Sequence, residues 1–168
     1  HEVHSYKLPH DASFHRVVET FERVNNSGKP LSSYDLIKAC FYKKGIKLED
    51  FLKESQMTYE SAYWWPKSNE KENILIINVL KVISLSENGG ISKGELINLD
   101  TNKLKAKWKD AIKNIDNAYN RVNEIYGAFK QKYIPIEPMI LPLAALLLHV
   151  GKGQDSKFKK IDRWYWNA

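Results

Sequence analysis

The stretch "TNKLKAKWKDAIKNIDNAYNRVNEIYG", from Thr101 to Gly127, decides the fold class of this chain. Apolar side chains recur in it every three or four residues, which is the spacing of one face of an α-helix. These side chains are Leu104, Trp108, Ile112, Ile115, Tyr119, Val122 and Tyr126. The pattern predicts a long amphipathic helix that begins at Thr101 and ends at Gly127.

Shorter helical patterns lie on both sides of this stretch, separated by glycine, proline and asparagine. They cover approximately 14–24, 32–45, 48–52, 70–87, 92–99, 139–150 and 155–166. The first nine residues, "HEVHSYKLP", are rich in residues that favour β-structure and predict a short strand. The expected fold is therefore mainly α, a multi-helix domain with at most one short N-terminal strand.

Composition limits what kind of protein this is. The chain has 168 residues, enough for one sizeable core, and a formal charge of +6, which favours an anionic partner such as nucleic acid or nucleotide. Cys40 is the only cysteine, so no internal disulfide can form, and we expect a cytoplasmic location. The most apolar segment, 139–150, is shorter than the roughly 20 residues that span a bilayer, so it predicts a core helix and no membrane partner.

Isolated residues suggest several sites, each with a plainer alternative. His1, His4, His10 and His15 have spacings that can approach metal-ligand geometry, but they lack a clear third ligand, so no metal site is expected. Cys40 lies on an apolar helix face, where a free cysteine packs as a small hydrophobic residue.

Basic residues offer possible DNA contacts, namely Lys103 and Lys107 of the long helix and Arg163 near the end of the chain. Acidic residues interrupt the lysines, so a mixed surface facing solvent is the competing interpretation. Next to Arg163, the three aromatic residues Trp164, Tyr165 and Trp166 could stack on bases. The helical spacing of Trp164 and Tyr165 from Ile161 instead predicts that these two pack in the core.

The segment "FERVNNSGKPLSSYDLIKA", residues 21–39, ends one helix, turns and begins another. It resembles the Phe-Glu-Arg-x-Asn-x-Gly-Gly-x-Pro-Leu-Ser segment of the GmrSD-type family, the ParB/sulfiredoxin-like NTPase proteins of modification-dependent restriction and phage defence. The helix "IPIEPMILPLAALL" and the ending "RWYWNA", close to "kWfWas", extend the resemblance along the chain. Ser27 replaces the first glycine of the usual pair, and the family's Asp-Gly-Gln-Gln-Arg motif is absent.

The resemblance implies a nucleotide site to which this chain contributes Phe21, Asn25 and Gly28, with the rest supplied by a motif upstream of His1. Residues 1–45 would be the C-terminal edge of the ParB-like nucleotide-binding half, and 46–168 a helical extension packed as one unit with it. The plainer alternative is that Phe21 belongs to an apolar helix stripe and Asn25 ends the helix.

In function, the resemblance implies a fragment of an NTP-dependent, modification-sensing DNA restriction or defence protein. The parent would be an endonuclease that uses a nucleoside triphosphate with a divalent cation, and its partners would be DNA and its own nuclease half. No catalytic residue, cofactor or activity is expected of this fragment alone. The alternatives are a non-enzymatic helical DNA-binding module or a protein-interaction domain that uses Tyr63, Trp64 and Trp65.

Overall fold

The computed structural model describes residues 32–56, 69–127, 137–150 and 155–167, together with the single helical positions Arg16, Thr20 and Arg23. The helices are α1 (Ser33–Lys43), α2 (Leu48–Gln56), α3 (Asn69–Asn88), α4 (Lys93–Ile97), α5 (Thr101–Glu124), α6 (Ile140–Val150) and α7 (Asp155–Asn167), and a 3₁₀ turn at Glu137–Met139 precedes α6. The predicted mainly α, multi-helix class is confirmed. The predicted N-terminal strand lies outside the described residues.

The long helix α5 forms where its periodicity predicts it. Asp100 caps its start, because Asp100 Oδ1 accepts hydrogen bonds of 2.9 Å from the backbone N–H groups of Asn102 and Lys103. The helix ends before Gly127, whose φ of +79° suits a residue without a side chain. Its buried face consists of Leu104, Trp108, Ala111, Ile112, Ile115, Ala118 and Val122.

The start of α1 is fixed by a reciprocal cap between Ser32 and Asp35. The backbone N–H of Ser32 donates to Asp35 Oδ2 at 2.9 Å, and the N–H of Asp35 donates to Ser32 Oγ at 3.2 Å. Ser92 and Glu95 form the same arrangement at the start of α4. Both helices therefore begin at positions set by local chemistry.

The core is centred on α6, which is apolar on nearly all sides. Helix α6 packs most extensively on α5, then on α3, and it also contacts α7. Ile140, Leu143 and Ala144 are almost completely buried among these neighbours. Pro142 lies in the first turn, where its missing N–H leaves no helical hydrogen bond unmade. Across the described ranges, none of the helices has the length and hydropathy to cross a membrane.

Helices α1, α2 and α4 also pack on α3. Helix α1 contacts α4 most, and Lys44 at its C-terminal cap reaches across to donate a 2.6 Å hydrogen bond to the carbonyl of Ile97. This bond satisfies an acceptor at the end of α4 with a cation, which is the favourable charge at a helix C-terminus. Within α3, the buried Ser84 donates to the carbonyl of Gly90 at 2.7 Å and holds the turn that follows the helix.

A buried indole joins α5 to α2. Trp108 is almost fully buried, and its Nε1–H donates to Ser55 Oγ at 3.1 Å. Ser55, also buried, donates in turn to the carbonyl of Phe51 at 2.7 Å. The rings of Phe51 and Trp108 lie 5.4 Å apart at 50°, within the range of favourable aromatic pairs. The polar edge of Trp108 is thus satisfied inside an otherwise apolar core.

The structure corrects one prediction about the end of the chain. Ile161 and Tyr165 are buried in the core, as their spacing predicts. Trp164, which was predicted to pack with them, is 37% exposed. At about 100° per residue, Trp164 lies about 60° from Ile161 and 100° from Tyr165 around the helix, so it lies at the edge of the buried face, where its ring stays partly open to solvent.

We predict that Ser55→Ala lowers the free energy of unfolding by about 1–3 kcal/mol, because the buried N–H of Trp108 then has no acceptor. Urea denaturation followed by circular dichroism measures this change.

The matched control repeats Ser55→Ala in a Trp108→Phe background, where no indole N–H remains to be satisfied. There the serine substitution is expected to cost clearly less than in the unmodified chain. Equal costs in the two backgrounds would mean that the hydrogen bond to Trp108 contributes nothing to stability.

Candidate functional site

The predicted nucleotide-binding residues Phe21, Asn25 and Gly28 lie outside the described residues, so their geometry stays a prediction. The structure does describe the helix that follows them. Helix α1 starts at its Ser32 cap, four residues after Gly28, and it buries Phe41 in the domain core. The chain that leaves the predicted site is therefore fixed to the core within a few residues.

A polar cluster on the first two helices adds to this attachment. The hydroxyl of Tyr34, on α1, donates to Glu49 Oε1 on α2 at 3.1 Å, and Lys38 forms an ion pair with the same carboxylate. Burial favours the protonated acid, but the hydrogen bonds from Lys38 and Tyr34 outweigh it and lower the pKa of Glu49. Glu49 therefore stays ionised and links the two helices.

Two of the three predicted DNA-contacting residues form ion pairs with another residue of the chain. Lys103 and Lys107, one turn apart on α5, both form ion pairs with Glu87 near the end of α3. Hydrogen bonds from these lysines lower the pKa of Glu87 to about 2, and Glu87 in turn raises the pKa of Lys103. The three side chains form a charge cluster that joins α3 to α5.

This cluster reduces what Lys103 and Lys107 can offer to a phosphate backbone. A carboxylate shared between two ammonium groups cancels half of their charge, and a ligand phosphate would have to compete with it. Lys105 and Lys109 lie exposed on another side of α5, without an ion pair to any residue in the described ranges.

The third predicted DNA contact, Arg163, lies far from the other two. Its neighbour Asp162 pairs with Arg121, and Arg121 is 18 positions beyond Lys103 on α5, or about 27 Å at 1.5 Å per residue. The structure thus does not bring Lys103, Lys107 and Arg163 into one contact surface.

A second charged cluster joins α5 to α7. Arg121 donates from Nε and Nη2 to the two oxygens of Asp162, at 2.6 and 2.7 Å, and the hydroxyl of Tyr126 donates to Asp162 Oδ1 at 2.5 Å. Such two-point pairing fixes orientation as well as distance. The guanidinium of Arg121 also lies 5.2 Å from the ring centre of Phe158. The four groups hold α7 in one orientation on α5.

The protonation states in this cluster follow from its partners. Burial favours a neutral Asp162, but the hydrogen bonds from Arg121 and Tyr126 lower its pKa and keep the carboxylate charged. Burial and the adjacent carboxylate raise the pKa of Tyr126, which keeps the phenol protonated as a donor. The Tyr126 ring stacks on Tyr165 with 4.5 Å between ring centres. The cluster is suited to positioning α7 and contains no group poised to exchange a proton near neutral pH.

A groove with a volume of about 720 Å³ lies between α5, the end of α6 and the start of α7. Its lining includes the apolar side chains of Leu147, Leu148 and Phe158 together with charged and amide side chains. The other lining residues are Asp110, Lys113, Asn114, Asn117, Asn120, Arg121, Glu124 and Ile125. The volume falls within the range of small-molecule sites.

The charges around this groove nearly cancel. Asp110 and Glu124 oppose Lys113 and Arg121, and Arg121 is already neutralised by Asp162. The amides of Asn114 and Asn117 are joined by a hydrogen bond of 3.3 Å. The groove can therefore offer hydrogen bonds to an uncharged ligand, but it has no concentrated charge that would select an anion.

The remaining predicted site residues are a cysteine, four histidines and three aromatic residues. Cys40 is buried on α1, as predicted, and burial raises the pKa of its thiol, which suits packing and not nucleophilic chemistry. His1, His4, His10 and His15 lie outside the described residues, as do Tyr63, Trp64 and Trp65. Within the described part of the chain, no group of three or more histidine, cysteine or acidic side chains is placed to hold a metal ion.

Sequence reasoning missed the partners that position these clusters. Glu87 lies 16 and 20 residues before Lys103 and Lys107, and Asp162 lies 41 residues after Arg121. No periodic signal links charges at such separations. Asp162 did give a weak signal, because it is the single acidic residue in the last turns of α7. An acidic residue beside an apolar helix face commonly has a partner within the protein.

Comparisons with known proteins give one distant relative and no family. The chain is 28% identical, over an alignment of 180 positions, to an uncharacterized protein of Methanocaldococcus jannaschii. The alignment covers 100% of this chain and 30% of the relative, so the chain spans about a third of that protein's length. No model of a known protein family matches the chain. No solved structure matches it either.

We predict that Glu87→Gln lowers the free energy of unfolding at pH 7 by about 0.5–1 kcal/mol, because it removes the charge that Lys103 and Lys107 share. The pKa of Glu87 is about 2 in the folded chain, below its ordinary 4.5, so the stabilisation is complete above pH 4.5 and declines as the pH falls towards 2. Urea denaturation of both proteins across this pH range measures the difference.

Glu124→Gln is the control, since Glu124 is exposed and forms no ion pair within the described ranges. It should change stability little at pH 7. A deficit of Glu87→Gln that stayed the same from pH 7 to pH 2 would contradict an origin in the ionised carboxylate.

Proposed function

We propose that this chain is part of an NTP-dependent, modification-sensing DNA restriction or defence protein. Phe21, Asn25 and Gly28 supply part of its nucleotide site, which an upstream Asp-Gly-Gln-Gln-Arg motif completes, and the helices form the scaffold behind that site. The observation that carries the proposal is the capped start of α1 at Ser32, four residues after Gly28, with α1 anchored in the core.

The helices support the proposed nucleotide site by holding its backbone in position. A side-chain amide and a glycine-containing turn bind a nucleotide only if the backbone is held within a fraction of an ångström of the required geometry. In this chain the segment is followed within a few residues by a reciprocal cap and by buried side chains of α1. The ion pairs and hydrogen bonds at Glu49 then tie α1 to α2. The scaffold thus restrains the downstream end of the proposed site.

The length of the relative supports a larger parent. The Methanocaldococcus jannaschii protein is more than three times as long as the segment that matches this chain, since the match covers 30% of it. A protein of that size has room for a complete nucleotide-binding half and a nuclease half. In the parent, a divalent cation would accompany the triphosphate, and DNA would be the substrate.

We predict that Asn25→Ala in the full-length parent lowers triphosphate hydrolysis by about 5- to 150-fold, because loss of a hydrogen bond in a dry site costs on the order of 1–3 kcal/mol. Asn26→Ala is the matched control, since Asn26 occupies a variable position of the family segment. It should hydrolyse triphosphate at the unmodified rate.

Phosphate release, measured with each common nucleoside triphosphate in the presence of a divalent cation, gives the rates, and circular dichroism confirms that both variants fold. Unchanged hydrolysis in a folded Asn25→Ala protein would remove Asn25 from the site. Equal losses in the two variants would indicate a damaged turn and not a lost ligand contact. The 168-residue chain alone is expected to show no hydrolysis.

A further inference from the structure

The exposed side of α7 carries a second set of residues that the nucleotide site does not use. Lys159, Arg163 and Trp166 are spaced at i, i+4 and i+7, so they lie on one side of the helix. All three are exposed. Lys159 and Arg163 lie about 6 Å apart along the helix axis, and Trp166 lies less than one turn further on.

The indole of Trp166 is both exposed and held in place. It is 59% exposed. Its ring meets Tyr126 edge-on with 5.5 Å between centres, and Tyr165 with 6.1 Å between centres. Tyr126 is itself fixed by its 2.5 Å hydrogen bond to Asp162. An anchored aromatic ring that remains open to solvent can stack on a planar ligand with little loss of side-chain entropy.

The charge beside this ring is positive. Lys159 and Arg163 form no ion pair within the described part of the chain. The nearest acid on the helix, Asp162, is occupied by Arg121 and Tyr126. This contrasts with Lys103 and Lys107, whose charges are shared with Glu87. On α7, a phosphate would therefore meet cations that have no competing carboxylate among the residues that the structure describes.

We propose that the face of α7 formed by Lys159, Arg163 and Trp166 binds single-stranded nucleic acid. Trp166 stacks on an unpaired base, and the two cations contact the neighbouring phosphates. This combination of a stacking ring and backbone-tracking cations is how proteins bind single strands with little sequence preference. In a duplex the bases are already stacked on one another, so the same face should bind duplex DNA more weakly.

This surface does not depend on the nucleotide site. It is more than 130 residues from Asn25 in sequence, and its binding is measured without any triphosphate. Asn25→Ala should therefore bind nucleic acid normally even if it abolishes hydrolysis, so each proposal can fail without the other.

The test measures fluorescence anisotropy of a labelled oligothymidylate of about 16 nucleotides with the 168-residue chain, at salt concentrations from about 50 to 200 mM. Trp166→Ala is expected to weaken binding by about 5- to 150-fold, the effect of losing one stacked base. Trp164→Ala is the matched control, because Trp164 is an exposed tryptophan on a different side of the same helix. It should bind as the unmodified chain does.

The cations are tested separately through the salt dependence. Changing Lys159 and Arg163 together to glutamine should reduce the slope of log affinity against log salt by about 1.4, the value for two phosphate contacts on a single strand. Trp166→Ala should leave that slope unchanged, because stacking releases no counterions. Both cationic side chains are exposed, so their substitution should not impair folding.

Three outcomes would overturn the proposal. One is no binding of the oligothymidylate at about 50 mM salt. Another is an equal loss of affinity for Trp164→Ala and for a folded Trp166→Ala or Trp166→Leu chain. The third is a duplex of the same length that binds as tightly as the single strand.

Discussion

The burial of α6 is the constraint on which the arrangement of the other helices depends. A helix that is apolar on nearly all sides must be surrounded, because each exposed leucine or isoleucine forgoes roughly 1.5–3 kcal/mol of burial. Helices α3 and α5 cover two of its sides, and α7 covers part of a third. Ile140, Leu143 and Ala144 are thereby removed from water. The long helix α5 supplies the largest matching face, which is why its periodicity is so regular.

Polar groups then fix the register in which the apolar helix faces pack. Hydrophobic contact alone tolerates small shifts along a helix, whereas a hydrogen bond does not. Trp108 bonded to Ser55 fixes α5 on α2, and Arg121 bonded twice to Asp162 fixes α5 on α7. Partly buried ion pairs add little net stability once desolvation is counted. Their effect in this domain is to select one register.

Much of this fold follows from local sequence, and the charge clusters that join its helices do not. The stripe from Leu104 to Val122 predicts α5 because it reports which side of a helix is apolar. It does not report which helix covers that side. Neither the Arg121–Asp162 ion pair nor the ion pairs of Lys103 and Lys107 with Glu87 could therefore be predicted. Periodicity also failed at Trp164, because an aromatic residue next to a buried position resembles a core residue until the neighbouring helix is placed.

The positions of the two proposed sites limit how they could communicate. The nucleotide segment leads into α1, which packs on α4 and α3, whereas the cationic face of α7 is attached through α6 and the Arg121–Asp162 pair. Through the described helices, coupling would therefore cross the packed contacts of α3, α5 and α6. A close-packed core of this kind does not deform continuously, so it transmits a change only if a contact has two discrete arrangements. Of the described contacts, the joint between α5 and α7 is the best suited to such a change, because a small set of directional bonds holds it.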